Sequence, residues 1–326
     1  MKEMDAELLR RLVECHSTTG DEDEVMAVMK EAFRDCGLHT ASLGRYALVA
    51  RNGKNRGAEP TVLICAHADS PGYIVQSIKE GVGSVVELGK PNVEEGIDVP
   101  VVVKRGRLKF KGELRCEESD RFLRCDEELC RGDRVCFEGT LREDGDFLKG
   151  PFLDNRLGCF VLCELARSLD WASGIDVALA VTGGEEFTGF GASVLANHYK
   201  PDIVFCLDAT YVDDDQEIKF GHGPVLTVTD KSVALGQVVV DEFTKLCSEL
   251  GVDIQAEIYN YSGTDAVAFP RAGLTGLVFP LLMPTKGNHS KEEIASRRDL
   301  EAEIDLMRKL CGNQDALVRL KAISEW

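Results

Sequence analysis

The sequence predicts an α/β fold, a mixed and mostly parallel sheet flanked by helices, with a β-rich, barrel-like domain inserted in it. Three observations lead there. Apolar runs such as TVLICAH, DVALAVTG and DIVFCLD are uninterrupted, as strands covered on both faces of a parallel sheet are. Segments of helical periodicity alternate with those runs, which is the pattern of a sheet with helices on both faces. Between about residues 70 and 149 the texture changes to short β-prone stretches separated by glycines, with no long helical pattern.

The elements follow in order. DEDEVMAVMKEAFRDCG puts Val25, Met29, Ala32, Phe33 and Cys36 on one helical face, with acids in the first turn and Gly37 as a stop signal. LVARNG and TVLICAH read as strands, and His67 ends the second. SVVEL, VPVVVKRGRLKF and DRVCFEG supply strands of the insertion, so residues 1–69 and 150–326 form the main domain and 70–149 the inserted one. The helical period returns after Asp154 in NRLGCFVLCELARSL, then come DVALAVTG, a helix and DIVFCLD. A helix near VVVDEFTKLCSELG leads to the strand GLVFPLL and a last, Leu-rich helix, and no internal repeat occurs.

The 56 acidic side chains against 38 basic ones give a formal charge of -18, which repels phosphate backbones and anionic lipid. Nucleic acid and membrane are therefore not expected as partners, and the expected location is the cytoplasm. Cys65, Cys163 and Cys206 sit inside apolar runs and read as core residues. Cys116, Cys125, Cys130 and Cys136 lack the paired C-x-x-C spacing of a zinc ribbon.

Ligands of open α/β sheets bind beyond the carboxyl ends of the strands. That rule selects His67 and Asp69 after TVLICA, Glu185 and Glu186 after DVALAVTGG, Asp208 after DIVFCL, and His289 after GLVFPLLMPTKGN. Asp154 joins them where the chain re-enters the main domain. Two histidines and three carboxylates offer the nitrogen and oxygen ligands that suit zinc, cobalt or manganese, and a carboxylate such as Asp154 can bridge two ions with its two oxygens. The pairs Glu94-Glu95, Glu117-Glu118, Glu127-Glu128 and Glu292-Glu293 read as solvated surface, and His16, His39, His198 and His222 as surface or packing residues.

The motifs TTGDEDEV, AHADSPGY, PFLDNRLGC, TGGEEFTGFGA, LDAT, KFGHGPVL, SGTDA and NHSKEEI resemble, in order and approximate spacing, one known family. It is the tetrahedral (TET) and glutamyl aminopeptidase family of dinuclear metallo-aminopeptidases, some of whose members have been labelled endoglucanases. The resemblance runs nearly end to end. It implies a sheet of the dinuclear zinc exopeptidase type and two divalent ions per subunit, zinc or cobalt, with manganese as a further candidate. His67 and Glu186 would each bind one side of the pair, Asp208 and His289 would complete the shell, and Asp154 would bridge.

The resemblance also implies that Asp69 accepts a hydrogen bond from the His67 imidazole, and that Glu185 takes a proton from a bridging water and delivers it to the leaving amine. A cis peptide is expected at Asp154-Asn155, and Gly263-Thr264-Asp265 matches a glycine-rich loop near the substrate site. The inserted domain would help pack a homo-oligomer, a tetrahedral dodecamer, acting on peptide substrates. Two departures bear on specificity: the family's Asp-Glu pair reads Asp69-Ser70, and its Gln-Glu-Glu reads Gly184-Glu185-Glu186.

The function that follows is hydrolysis of N-terminal residues from peptides. A di-metal amidohydrolase, a deacylase or a carboxypeptidase would need the same ligands, so these stay open. A catalytically silent assembly or binding protein would be expected to have lost a ligand or the base, and all six are present.

Overall fold

The computed structural model describes residues 5–52, 61–118, 120–171 and 175–323, so Gly53 of the LVARNG reading lies outside it. Helix α1 (Ala6–Glu14) is capped by Asp5, whose side chain accepts the Leu8 N–H. Helix α2 (Asp23–Asp35) buries the predicted face through Val25, Met29, Ala32 and Phe33. Strands β1 (His39–Leu43) and β2 (Ala47–Arg51) pair as a hairpin, and β3 (Val62–His67) is buried along its whole length.

Strands β4 (Gly72–Lys79), β5 (Val82–Leu88), β6 (Asp98–Arg105), β7 (Leu108–Glu117), β8 (Asp120–Cys125) and β9 (Arg134–Phe137) close into a barrel in the order β4-β5-β8-β7-β6-β9. Alternate residues such as Val99, Val101 and Val103 fill its interior. The hairpin of β10 (Arg142–Asp144) and β11 (Phe147–Gly150) follows. This hairpin belongs to the main sheet. The chain is thus back by Arg142, inside the stretch whose texture suggests a separate unit, because three residues of β10 are too few to announce which sheet they join.

Helix α3 (Leu153–Ser168), β12 (Val177–Thr182), α4 (Phe190–His198), β13 (Ile203–Tyr211) and β14 (Val225–Thr229) come next. They are followed by α5 (Gln237–Glu249), β15 (Gln255–Ile258), α6 (Ala268–Arg271), β16 (Leu277–Lys286), β17 (Glu293–Ser296), α7 (Arg297–Cys311) and α8 (Gln314–Ile323). The main sheet runs β1-β2-β12-β3-β13-β16-β17-β11-β10, with β14 added on β16 and β15 on β14. Its centre, β12-β3-β13-β16, is parallel, and the strands outside that centre on the main path are antiparallel.

The central strands are apolar on both faces because both faces are covered. Val62, Ile64 and Ala66 of β3 join the core under α1, α2, α3, α5, α7 and α8. Leu63 and Cys65, pointing the other way, join the smaller core under α4 and α6. Parallel register sets Thr182 beside His67 and Cys206 beside Cys65, so Asp208, two residues on, comes level with His67 at the same sheet end. No helix among the described residues is long and apolar enough to cross a membrane.

Candidate metal centre

Six side chains converge at that sheet end. His67, the last residue of β3, points Nε2 at Asp208 Oδ1 (3.2 Å) and Asp154 Oδ1 (3.3 Å), with Glu185 Oε2 4.0 Å away. His289, in the loop between β16 and β17, points Nε2 at Asp154 Oδ2 (3.4 Å) and Glu186 Oε1 (3.4 Å). Each oxygen of the Asp154 carboxylate therefore faces a different histidine. Two groups of potential ligands result, His67-Asp154-Asp208 and Asp154-Glu186-His289, the ligand atoms of each lying within 4.8 Å of one another. A third, His67-Glu185-Glu186, meets the same distance.

The donor set fits divalent cations on a further observation. Asp154 Oδ1 and Glu186 Oε1 are buried and have no hydrogen-bond partner among the described residues, a costly state for a carboxylate oxygen unless a cation completes it.

Backbone conformation aims these groups. The Asp154-Asn155 peptide is cis, and Phe152 before it lies in the left-handed region at φ 67°. Asn155 turns back into the fold, donating to the Leu207 carbonyl (2.8 Å) and accepting the Gly158 N–H (3.0 Å). Asp208 Oδ1 is oriented by the Ala209 N–H at 2.8 Å.

The Glu185-Glu186 turn is held from beneath by Asp69, whose Oδ1 accepts the N–H groups of Gly184 (2.9 Å) and Glu185 (3.0 Å) and whose Oδ2 accepts that of Glu186 (3.2 Å). Thr19 donates to the same carboxylate at 2.7 Å. Gly184 sits at φ 81°, where a Cβ would lie 2.7 Å from Thr188 Oγ1, so the glycine that replaces the family's glutamine suits the turn.

Two readings from the sequence change here. The His67 Nδ1 contact that fixes the ring is to the backbone carbonyl of Asp69 at 3.1 Å, while the Asp69 carboxylate is 3.6 Å away. That carboxylate is turned toward the loop amides, which offer it three N–H donors. Glu293 is not surface: it is buried on β17 and takes the Asp154 N–H on Oε2 (2.8 Å) and the His289 N–H on Oε1 (2.9 Å). Sequence reasoning passed over it because β17 has only four residues, too few for a readable alternation.

Arg156 escaped notice too. It is fully buried, and it donates to the carbonyls of Leu12 (3.0 Å) and Ala68 (2.7 Å) and to Ser70 Oγ (3.1 Å). The Ser70 departure therefore touches a buried cation behind the site.

Burial is the largest influence on the acids of the site. It pushes the carboxyls of Glu185 and Glu186 well above their ordinary range, Asp265 up to about 7 and Glu293 up to about 8. Burial acts upward on Asp154 as well, but the contacts with His289 and His67 outweigh it and hold that carboxyl below its usual value. For His67 burial acts downward, and Asp208 and Asp154 overcome it, raising the ring well above its ordinary value. Such crowding of carboxylates around two imidazoles suits a centre that binds cations.

A cavity of about 390 Å³ opens beside the centre. Glu185, Glu186 and His289 form one side, and the loop of Gly263, Thr264 and Asp265 another. The loop is pinned by Ser232, which accepts the Thr264 N–H at 2.6 Å and donates to its carbonyl at 3.1 Å, while Thr182 donates to Asp265 Oδ2. Lys90, Lys231 and Arg271 also line the cavity.

A family model described as M42 glutamyl aminopeptidase matches residues 125–306. The lysyl aminopeptidase of Pyrococcus furiosus is 25% identical, over 94% of this chain and 96% of that protein. Among solved structures, the TET aminopeptidase from the marine sediment archaeon Thaumarchaeota archaeon SCGC AB-539-E09 superposes with a TM-score of 0.86 at 23% identity, covering 96% of this chain and 98% of that one. The Pyrococcus horikoshii TET1 peptidase, which can assemble into a tetrahedron or a large octahedral shell, gives 0.84 at 22% identity, covering 94% and 98%.

Proposed function

This chain belongs to the M42 glutamyl aminopeptidase family and is a peptidase, and from that premise we propose that it removes residues from the free amino ends of peptides with two divalent cations as cofactor. The observation that carries the reading is the Asp154 carboxylate, one oxygen 3.3 Å from His67 and the other 3.4 Å from His289. His67, Asp154 and Asp208 would hold the first ion, and Asp154, Glu186 and His289 the second. Zinc or cobalt suits this set best, with manganese a third choice.

When bound, such a pair polarises the scissile carbonyl and acidifies the water between the ions. Glu185 is the general base. Its carboxylate is 4.0 Å from the His67 Nε2, and it is free to act as base because the other two groups supply three ligands each without it. It takes the proton of the attacking water and passes it to the departing amine. Asp69 holds the turn that presents Glu185 and Glu186, and the anionic groups around the ions favour a substrate ammonium.

The cavity receives the first side chain of the peptide. Lys90, Lys231 and Arg271 on its wall have no ion-pair partner among the described residues, which supports a preference for an acidic side chain. The likeness to an assembling TET peptidase supports a homo-oligomer, and the tetrahedral dodecamer is the form we propose.

Metal content, measured by plasma mass spectrometry with hydrolysis of free and N-acetylated aminoacyl-anilides before and after chelation, tests the reading. Activity confined to free amino ends, lost on chelation and restored with about two ions per chain, is the expected result. Preference for blocked substrates would replace it with a deacylase.

A further inference from the structure

His289 is held in a backbone conformation that few non-glycine residues adopt, φ 65°. Three hydrogen bonds keep it there. Glu293, from the main sheet, takes its N–H at 2.9 Å. The other two come from the loop between β5 and β6 of the barrel: the Asn92 N–H donates to the His289 carbonyl at 2.7 Å, and the Lys90 carbonyl contacts the His289 ring at Nδ1 (3.1 Å).

A carbonyl oxygen can only accept, so the contact with Lys90 keeps the ring proton on Nδ1. Nε2, facing Asp154 and Glu186, is left with its lone pair for a cation. The same loop touches the second ligand of that pair. Gly89 lies at φ 78°, and a Cβ on it would stand 3.2 Å from the Glu186 carbonyl and 3.2 Å from Pro71 Cβ. One short stretch of the barrel thus meets both His289 and the backbone of Glu186, while His67 takes its Nδ1 contact from Asp69, outside the barrel strands.

We propose that Gly89–Asn92 is a positioning element of the metal centre, through which the barrel sets the affinity of the Asp154-Glu186-His289 site. The inference rests on the two-ion reading given above. It assigns the barrel a role at the chemistry that is separate from any role in assembly, and it makes the two ions unequal: this loop meets His289 and Glu186, ligands of the second alone.

The test is a zinc and cobalt titration of the full-length metal-free chain, wild type against G89A, N92P and G81A, with ions counted by mass spectrometry and cobalt followed by its visible absorption. G89A presses on Glu186, and N92P deletes the donor to the His289 carbonyl. G81A strains a barrel glycine at φ 80° that has nothing within 4 Å of its Cβ position, so it controls for damage to the barrel.

Wild type and G81A are expected to bind two ions. G89A and N92P should keep the first and bind the second roughly 10–100-fold more weakly, with turnover returning at high metal concentration. Unchanged affinity for both ions in G89A, or equal weakening of both, overturns the proposal; should N92P fail to fold, G89A decides. Wild type binding fewer than two ions would instead defeat the two-ion reading itself.

Discussion

Asp69 Oδ1 accepts the backbone N–H of Glu185 at 3.0 Å. The relationship makes a buried carboxylate on one strand end responsible for where the base on the next strand end points. An asparagine there keeps the volume but turns an amide toward N–H donors. D69N should lower stability by about 1–3 kcal/mol and lower kcat as well, because the Glu185 turn loses its anchor. Urea unfolding read beside steady-state kinetics checks both; a destabilised variant with unaltered kcat would remove Asp69 from any part in aiming the base.

Glu185 is proposed as the base and Glu186 as a ligand, so the two neighbours should fail differently. E185Q is expected to keep about two ions yet lose roughly 10²–10⁴-fold in kcat, whereas E186Q should lose metal. The pair is compared by metal analysis and anilide hydrolysis. Near-native turnover by E185Q would mean that another group takes the proton.

Removal of metal should change how stability follows pH. In the metal-free fold Asp265 holds its proton up to about 7 and Glu293 up to about 8, whereas the unfolded chain releases both in the ordinary carboxylate range near pH 4. Across that window the folded state carries more protons, so stability falls as pH rises. His67, raised above its ordinary value, adds stability that is present below its unfolded pKa and lost as pH climbs through the folded one, in the same direction. Asp69 and Asp154 are lowered, and their contribution is lost only on acidification below the carboxylate range. Calorimetric melting of the chelated chain from pH 5 to 8 should therefore show a falling Tm, and added zinc should reverse the trend because its ligands must be deprotonated. A chelated chain that grows more stable over this range would contradict the assignment.

The cations of the cavity wall make specificity measurable. With Lys231 and Arg271 replaced by alanine, KM for a glutamyl-anilide should rise about tenfold, the order of one charge-assisted hydrogen bond, while a leucyl-anilide should be little affected. Equal changes for both substrates would show that these side chains do not read the first residue.

How far the sequence carries depends on where a residue sits. His67, Glu186 and Asp208 are legible because each follows an apolar run that marks a buried strand, and parallel strands bring their ends together. Helix α2 is legible from its period, its buried face spelled by Val25, Met29 and Phe33. Glu293 is not, since its partners are two backbone amides at residues 154 and 289 that only the folded chain brings within reach. Arg156 is hidden likewise: its carbonyl partners, Leu12 and Ala68, lie far apart along the chain, and nothing in a buried arginine's neighbours in sequence says where they are. The direction of the Asp69 carboxylate depended on the loop amides at 184–186, whose conformation follows from a glycine at positive φ.

Arg156 hydrogen-bonds to Ala68 and Ser70, just where the chain departs for the barrel, from the helix it enters on return. The exit is thereby stapled to the helix that follows the β10-β11 hairpin, whatever the excursion between them contains. A chimaera that exchanges the barrel for that of another family member therefore has to match the stapled exit, the loop that reaches His289, and the seats of Lys104 and Lys109, which hold Asp21, Asp23 and Glu24 of the main domain. Phe152, two residues before the shared ligand Asp154, packs in the barrel core against Phe137, so a grafted domain has to offer an aromatic seat there as well if the hydrolytic centre is to keep its shape.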